Sequence, residues 1–233
     1  MNRIIAMIAL ALLLAVGSNL SASSSVLATM PRAASAVQGQ PQRINREFRA
    51  SMGQKLEFEI ETGGSIEVTG WDNPLISVEV YKGGRDGADC RVDFQETASG
   101  LRITSEYVGR GHNYSTNISF VVRVPKRFDL EFDSMGGGIS ICGVEGRFSG
   151  KTMGGGLTLN NLKGDIDLQT MGGRINLTNS EVEGRVETMG GRVLIENVVG
   201  DVRGSTMGGD VVRRNNGTRA GRTSEAECAP ARH

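Results

Sequence analysis

Two histidines stand among the 233 residues, aromatic side chains make up only 5%, and no charge of either sign is in excess. His112 and His233 leave no basis for a Ser/His/Asp or Cys/His constellation. Lys+Arg and Asp+Glu both total 26, so the formal net charge is zero. Such a balance carries no general attraction to nucleic acid or to an anionic membrane. The main apolar run, Ile4 to Val16, has thirteen residues and falls short of the roughly 20 that span a bilayer. Cys90, Cys142 and Cys228 match no zinc-ligand spacing. Their odd number leaves at least one thiol free or intermolecular, and spacing does not choose the pair.

Arg3 followed by the Ile4–Val16 run reads as a secretory signal. It occupies residues 1–36, with small-residue cleavage sites ending at Ala28 and at Ala36. An uncleaved anchor is the alternative, and the short run disfavours it. Cutting after Ala36 leaves 24 basic against 26 acidic residues. The expectation is an exported, near-neutral mature chain with no membrane span, in the periplasm or at the cell surface, where an oxidising compartment permits a disulfide.

Glycine, by contrast, is abundant at 33 residues, and it sits at fixed places. Met-Gly-Gly recurs at Met135, Met153, Met171, Met189 and Met207, each step eighteen residues, with Ser134, Thr152, Thr170, Thr188 and Thr206 preceding. A fixed period without drift predicts stacked coils, each needing neighbours to bury its apolar face. Counted from the Met, position five is Ile139, Leu157, Ile175, Val193 and Val211, and position seven is Ile141, Leu159, Leu177 and Ile195. Side chains two apart share one strand face, so both rows point inward. Position ten is Val144, Leu162 and Val198, interrupted by Ser180; a second inward strand carries Phe148, Ile166 and Val202. In the third repeat Gly184 is displaced by two residues, which reads as a bulge inside an intact period.

Upstream, Leu56, Phe58 and Ile60 alternate with Glu57, Glu59 and Glu61, and similar short runs follow to Val124. Alternation of this kind predicts strands. The reading is an all-β, single-domain β-solenoid of 18-residue coils with a β-rich N-terminal cap. Its parts are a linker over 37–54, the β-rich part over 55–128, the solenoid over 129–214 and a disordered tail over 215–233. Asp210, Arg213 and Arg214 make the last coil polar, as suits a terminal cap.

The turn glycines supply positive φ and close backbone approach, so Gly155→Val or Gly173→Val should impair folding. A phosphate cradle would need a following helix. Five thioethers could form a soft-metal track for Cu(I), but no His or Cys shares the row, and packing of Met into a core corner is the favoured reading. Calcium needs six to eight oxygens, and with Asp165, Asp167, Asp201 and Asp210 scattered, no turn repeats an acid at a fixed place. The outward rows mix signs, with Arg147, Asp165, Glu183 and Asp201 in one and Arg174, Arg192 and Asp210 in another. No catalytic, cofactor-binding or metal-ligating residue is therefore assigned, and no cofactor. Among the aromatics Trp71, Tyr81, Tyr107 and Tyr114 are candidates for a binding platform, and Tyr114, in the irregular stretch Gly109–Thr116, is the one expected to be exposed.

The stretch Thr62-Gly63-Gly64-Ser65-Ile66-Glu67-Val68-Thr69-Gly70-Trp71-Asp72, followed by the Thr-Met-Gly-Gly repeats, resembles the bacterial "putative adhesin" family of exported β-solenoid domains. The resemblance covers roughly Phe48 to Arg213 and implies a right-handed, β-helix-like fold in the cell envelope. It carries over no catalytic residue. Function is expected to be that of a non-enzymatic structural or adhesive module whose partner is an envelope protein or glycan. A β-helix enzyme acting on polysaccharide, and an envelope-stress accessory protein, are the alternatives.

Overall fold

The computed structural model describes residues 42–51, 53–110 and 115–217. Residues 1–36, read above as an export signal, both histidines, Tyr114, Cys228 and the stretch from 218 onward lie outside the described residues. Within them the chain is all-β, sixteen strands in one sheet, with a single 3-10 turn at Gly87–Asp89. The strands begin with β1 (Gln42–Arg49), β2 (Lys55–Ile60), β3 (Ser65–Trp71) and β4 (Leu75–Gly83). Next come β5 (Cys90–Thr97), β6 (Gly100–Tyr107) and β7 (Asn117–Pro125). The repeat region supplies β8 (Asp129–Ser134), β9 (Ile139–Cys142), β10 (Glu145–Thr152), β11 (Leu157–Asn160) and β12 (Lys163–Thr170). It closes with β13 (Ile175–Thr188), β14 (Val193–Val199), β15 (Val202–Thr206) and β16 (Val211–Arg214).

Two parallel ladders organise these strands. The first runs β6, β2, β8, β10, β12, the second half of β13, then β15. The second runs β7, β3, β9, β11, the first half of β13, β14, then β16. From β8 onward every partner lies eighteen residues along: Leu130, Phe148, Ile166, Gly184 and Val202 form one column, and Ile139, Leu157, Ile175, Val193 and Val211 another. In such register identical faces align rung by rung: Leu130, Phe148, Ile166 and Val202 are buried with the exposed Gly184 between them, and the second column is buried up to the last rung, where Val211 is exposed. Phe58 stacks on Phe132 with ring centroids 5.1 Å apart, carrying the same core from the N-terminal strands into the repeats.

The N-terminal part thus does more than cap. β2 and β3, then β6 and β7, extend both ladders by two rungs, with β6 and β7 outermost despite following β2 and β3 in the chain. The cap proper is antiparallel: β5 on β6, β4 on β7, and β1 on β4. Residues 42–49, which composition places in the linker, are that last strand. At the opposite end the Arg213 guanidinium donates to the Val202 carbonyl oxygen. Asn216 donates to the Ile195 carbonyl oxygen at 3.1 Å and accepts the Val198 N–H at 3.0 Å. Both occupy backbone groups that a bare edge would offer to another chain.

No bulge interrupts the third repeat. Ile166 pairs with Gly184 and Gly184 with Val202, so the eighteen-residue offset is unbroken. What changes is which inward position holds glycine. Gly146 precedes Phe148, Gly164 precedes Ile166 and Gly200 precedes Val202, whereas Val182 precedes Gly184. Each rung still supplies one apolar side chain and one glycine, which keeps the packed volume while exchanging the order.

The Met-Gly-Gly turns also differ from expectation. Gly137 and Gly155 have φ of +89° and +82°, but Gly173, Gly191 and Gly209 do not lie in that region. A common steric demand unites the third position instead. A Cβ on Gly155, Gly173, Gly191 or Gly209 would collide with the carbonyl oxygen of Gly137, Gly155, Gly173 or Gly191 on the preceding rung. The second-position glycines Gly136, Gly154, Gly172 and Gly190 have room: the nearest atom to a Cβ on Gly172 is 3.8 Å away.

Threonine before Met153, Met171, Met189 and Met207 ties the rungs together, whereas Ser134 before Met135 bonds Gly136 in its own turn. Thr170 is buried, its hydroxyl donates to the Gly155 carbonyl oxygen at 2.9 Å, and it accepts the Gly173 N–H at 3.3 Å. Thr188 and Thr206 repeat the arrangement with Gly173 and Gly191. Thr170→Val keeps the shape and removes both bonds, and the expected cost is about 2 kcal/mol in chemical denaturation. An unchanged midpoint would show that the hydroxyl row contributes nothing.

Asparagine forms a row that the sequence reading passed over. Asn161, Asn179, Asn197 and Asn215 all have φ between 50° and 54°, following Gly143 at 70° on the same eighteen-residue spacing. Asparagine tolerates this left-handed geometry better than most residues. The Asn197 side-chain amide donates to Asn179 at 3.1 Å, and Asn179 donates to Asn160 at 3.0 Å.

Candidate functional site

Two outward surfaces result from these ladders. The first is an open trough of about 840 Å³ crossing β8, β10, β12, β13 and β15. Because side chains alternate across each strand, every rung contributes outward residues at the same height. Arg147, Asp165, Glu183 and Asp201 form one column, and Glu131, Ser149, Asp167, Arg185 and Arg203 the next. Arg147 bonds Asp129 at 3.1 Å, and Arg185 reaches Asp167 at 2.8 and 2.9 Å. Asp167 holds the Arg185 guanidinium above its ordinary pKa, chiefly by hydrogen bonding. These pairs are solvent-exposed and contribute little to stability. Their polar groups remain accessible to a ligand.

At the N-terminal end of the trough Lys55 bonds Glu131 at 2.7 Å and also pairs with Glu57. Arg102 on β6 donates to Glu57 at 2.8 Å. The Glu57 side chain is only 12% exposed. Its carboxyl is held below the usual carboxylate range, first by the hydrogen bond from Lys55 and then, against the cost of burial, by the one from Arg102. A depressed folded-state pKa contributes stability that is present above the unfolded value of roughly 4.3 and is lost as pH falls through the folded one. Glu57→Gln should therefore lower Tm at pH 7, with the difference from the parent closing as pH drops below about 4. A Tm gap independent of pH would contradict this assignment.

The second surface is the methionine row. Met135, Met153, Met171 and Met189 are 48–58% exposed and Met207 is 80% exposed. They do not fill a core corner as expected. Instead Met153, Met171, Met189 and Met207 line a groove of about 290 Å³ beside Thr152, Thr170 and Thr188. The period placed these residues at one corner, but which way a corner side chain points depends on the backbone path, and periodicity does not report it.

Other residues singled out by sequence fall elsewhere. Trp71, Tyr81 and Tyr107 are half-buried and form no common platform. Trp71 donates to the Leu75 carbonyl oxygen at 2.8 Å and lies under the Arg123 guanidinium, while Tyr81 bonds Glu79 at 2.9 Å. Cys90 is free and buried, and burial pushes its thiol pKa up. Cys142 is disulfide-bonded.

No protein-family model matches the chain, and no curated protein does. Several solved structures align with it. A putative cell adhesion protein from Clostridium sporogenes ATCC 15579 is 10% identical, covering 75% of this chain and 99% of its own, with a TM-score of 0.37. A putative adhesin from Bacteroides fragilis NCTC 9343 is 12% identical over 74% and 97%, at a TM-score of 0.36. A putative lipid binding protein from Parabacteroides distasonis ATCC 8503 is 11% identical over 76% and 97%, at 0.26. Similarity at this level carries no argument about function. The chemistry must be read from the trough and the methionine row themselves.

Proposed function

We propose that the chain is an exported β-solenoid of 18-residue coils, right-handed and β-helix-like, serving as a non-enzymatic structural or adhesive module of a bacterial envelope. The solenoid coils span 129–214, continuing a β-rich N-terminal part over 55–128, and the export signal over 1–36 is removed. The observation that carries the reading is the trough. Five consecutive rungs hold acids and bases at fixed height on a backbone whose coils are locked to one another. A rigid, mixed-sign, open surface suits an extended polar ligand, an envelope glycan or protein segment, better than it suits a reaction. A hydrolase on such a surface would call for a dedicated pair of carboxylates set apart by their surroundings. Here Arg147 and Arg185 stand among the acids.

The test is retention of envelope polysaccharide and envelope protein, assayed separately, on the immobilised mature domain. Saturable retention of glycan, weakened in a variant reversed at Arg147 and Arg185 to Glu, is the expected result. Retention of one protein without glycan would reassign the chain to an accessory role. Retention of neither would contradict the proposal.

A further inference from the structure

The methionine row stands apart from the trough and from the reading above. Its residues share one backbone setting. The Met153 N–H donates to the Ser134 carbonyl oxygen at 2.9 Å, Met171 to Thr152 at 3.0 Å, Met189 to Thr170 at 3.1 Å and Met207 to Thr188 at 3.2 Å. Met135 does the same with Ile60 at 2.9 Å. Five thioethers are thus stacked on five consecutive rungs.

Nothing in the fold explains the choice of residue. The glycine that follows two places later answers to a backbone contact, and the preceding threonine to a pair of hydrogen bonds. The methionine side chains, half exposed or more, satisfy neither the core nor any backbone group, and a polar residue would serve the corner as well. What methionine alone brings is sulfur.

We propose that this row binds Cu(I), held between thioethers of successive rungs. Rungs of a parallel sheet are about 4.8 Å apart, close to twice the roughly 2.3 Å of a metal–sulfur bond. One ion between two neighbouring sulfurs is therefore commensurate with the ladder, and the flexible third methionine can close a three-coordinate site. Thioether is a soft, neutral donor that selects Cu(I) over the hard divalent cations, which take carboxylate, carbonyl and water oxygens. The central positions, Met153, Met171 and Met189, have sulfur neighbours on both sides.

The experiment is anaerobic titration of the full mature chain with Cu(I) buffered by the chromophoric chelator bicinchoninate. The comparison is with the triple variant Met153→Leu, Met171→Leu, Met189→Leu. Leucine keeps the volume and apolar character, which is usually tolerated. The parent chain should withdraw at least one Cu(I), and the triple variant should bind at least tenfold more weakly with its Tm little changed. Equal binding by both chains would overturn the proposal, placing the ion on other residues. So would failure of the parent to withdraw Cu(I) at micromolar concentration. Should the triple variant misfold, the single variant Met171→Leu decides: weaker Cu(I) binding than the parent supports the row, and binding equal to the parent refutes it.

Discussion

Gly173→Ala is expected to destabilise the chain by about 3 kcal/mol or more, whereas Gly172→Ala, one residue earlier, should change stability by less than about 1 kcal/mol. The two glycines look equivalent in the motif. The structure separates them: a methyl on Gly173 meets the Gly155 carbonyl oxygen on the preceding rung, and one on Gly172 meets nothing closer than 3.8 Å. Backbone on both sides of the clash leaves no flexible side chain to yield. Relief would require the rungs to separate, which would strain the Thr170 hydrogen bonds to Gly155 and Gly173 next to it. The third-position residues of the other turns face the same oxygen from the same side, so Gly191→Ala should behave like Gly173→Ala. Chemical denaturation of the paired variants reads the difference directly. Equal losses would mean that the corner is set by glycine flexibility in general, not by approach of one rung to the next.

Much of the architecture was legible because it is repetitive. Apolar residues at positions five and seven, two apart and every eighteen, left only an inward strand as a solution, and Ile139, Leu157, Ile175 and Val193 are buried on that face. The hydrophobic columns needed no knowledge of partners, since in a stack the partner is the same position one period away. Where this translation fails, sequence reasoning failed with it. β6 and β7 lie outside β2 and β3, an order decided by long-range pairing that no local pattern records. The exchange of Val182 and Gly184 looked like a bulge, because moving a glycine by two residues resembles an insertion followed by a deletion. Only the pairing register distinguishes them.

The surfaces were less legible than the core. Charged columns at Arg147 and Asp165 were visible as outward rows, but the trough depends on how the strands curve. For the methionines hydropathy pointed inward and the structure points outward, since a side chain at a corner follows the backbone path and not the alternation of a strand. The asparagine row, by contrast, was present in plain view at Asn161, Asn179, Asn197 and Asn215. Its signal was the recurrence at eighteen, the same evidence that revealed the methionines.

Removing one eighteen-residue repeat should leave a folded protein. Deleting residues 145–162 joins Val144 to Lys163, so β12 would lie on β8 and the first half of β13 on β9. The new contacts repeat old ones: Ile166 would meet Leu130 as Phe148 does, and Ile175 would meet Ile139 as Leu157 does. Deleting seventeen residues, 146–162, shifts every downstream side chain by one and turns the apolar columns to the opposite face. Circular dichroism and thermal unfolding of the two deletion variants, side by side, are the measurement to make. The eighteen-residue deletion should retain β-structure and a cooperative transition at modestly lower Tm, while the seventeen-residue deletion should lose the transition. If both variants unfold alike, or both stay folded, the chain is not held together by an eighteen-residue register.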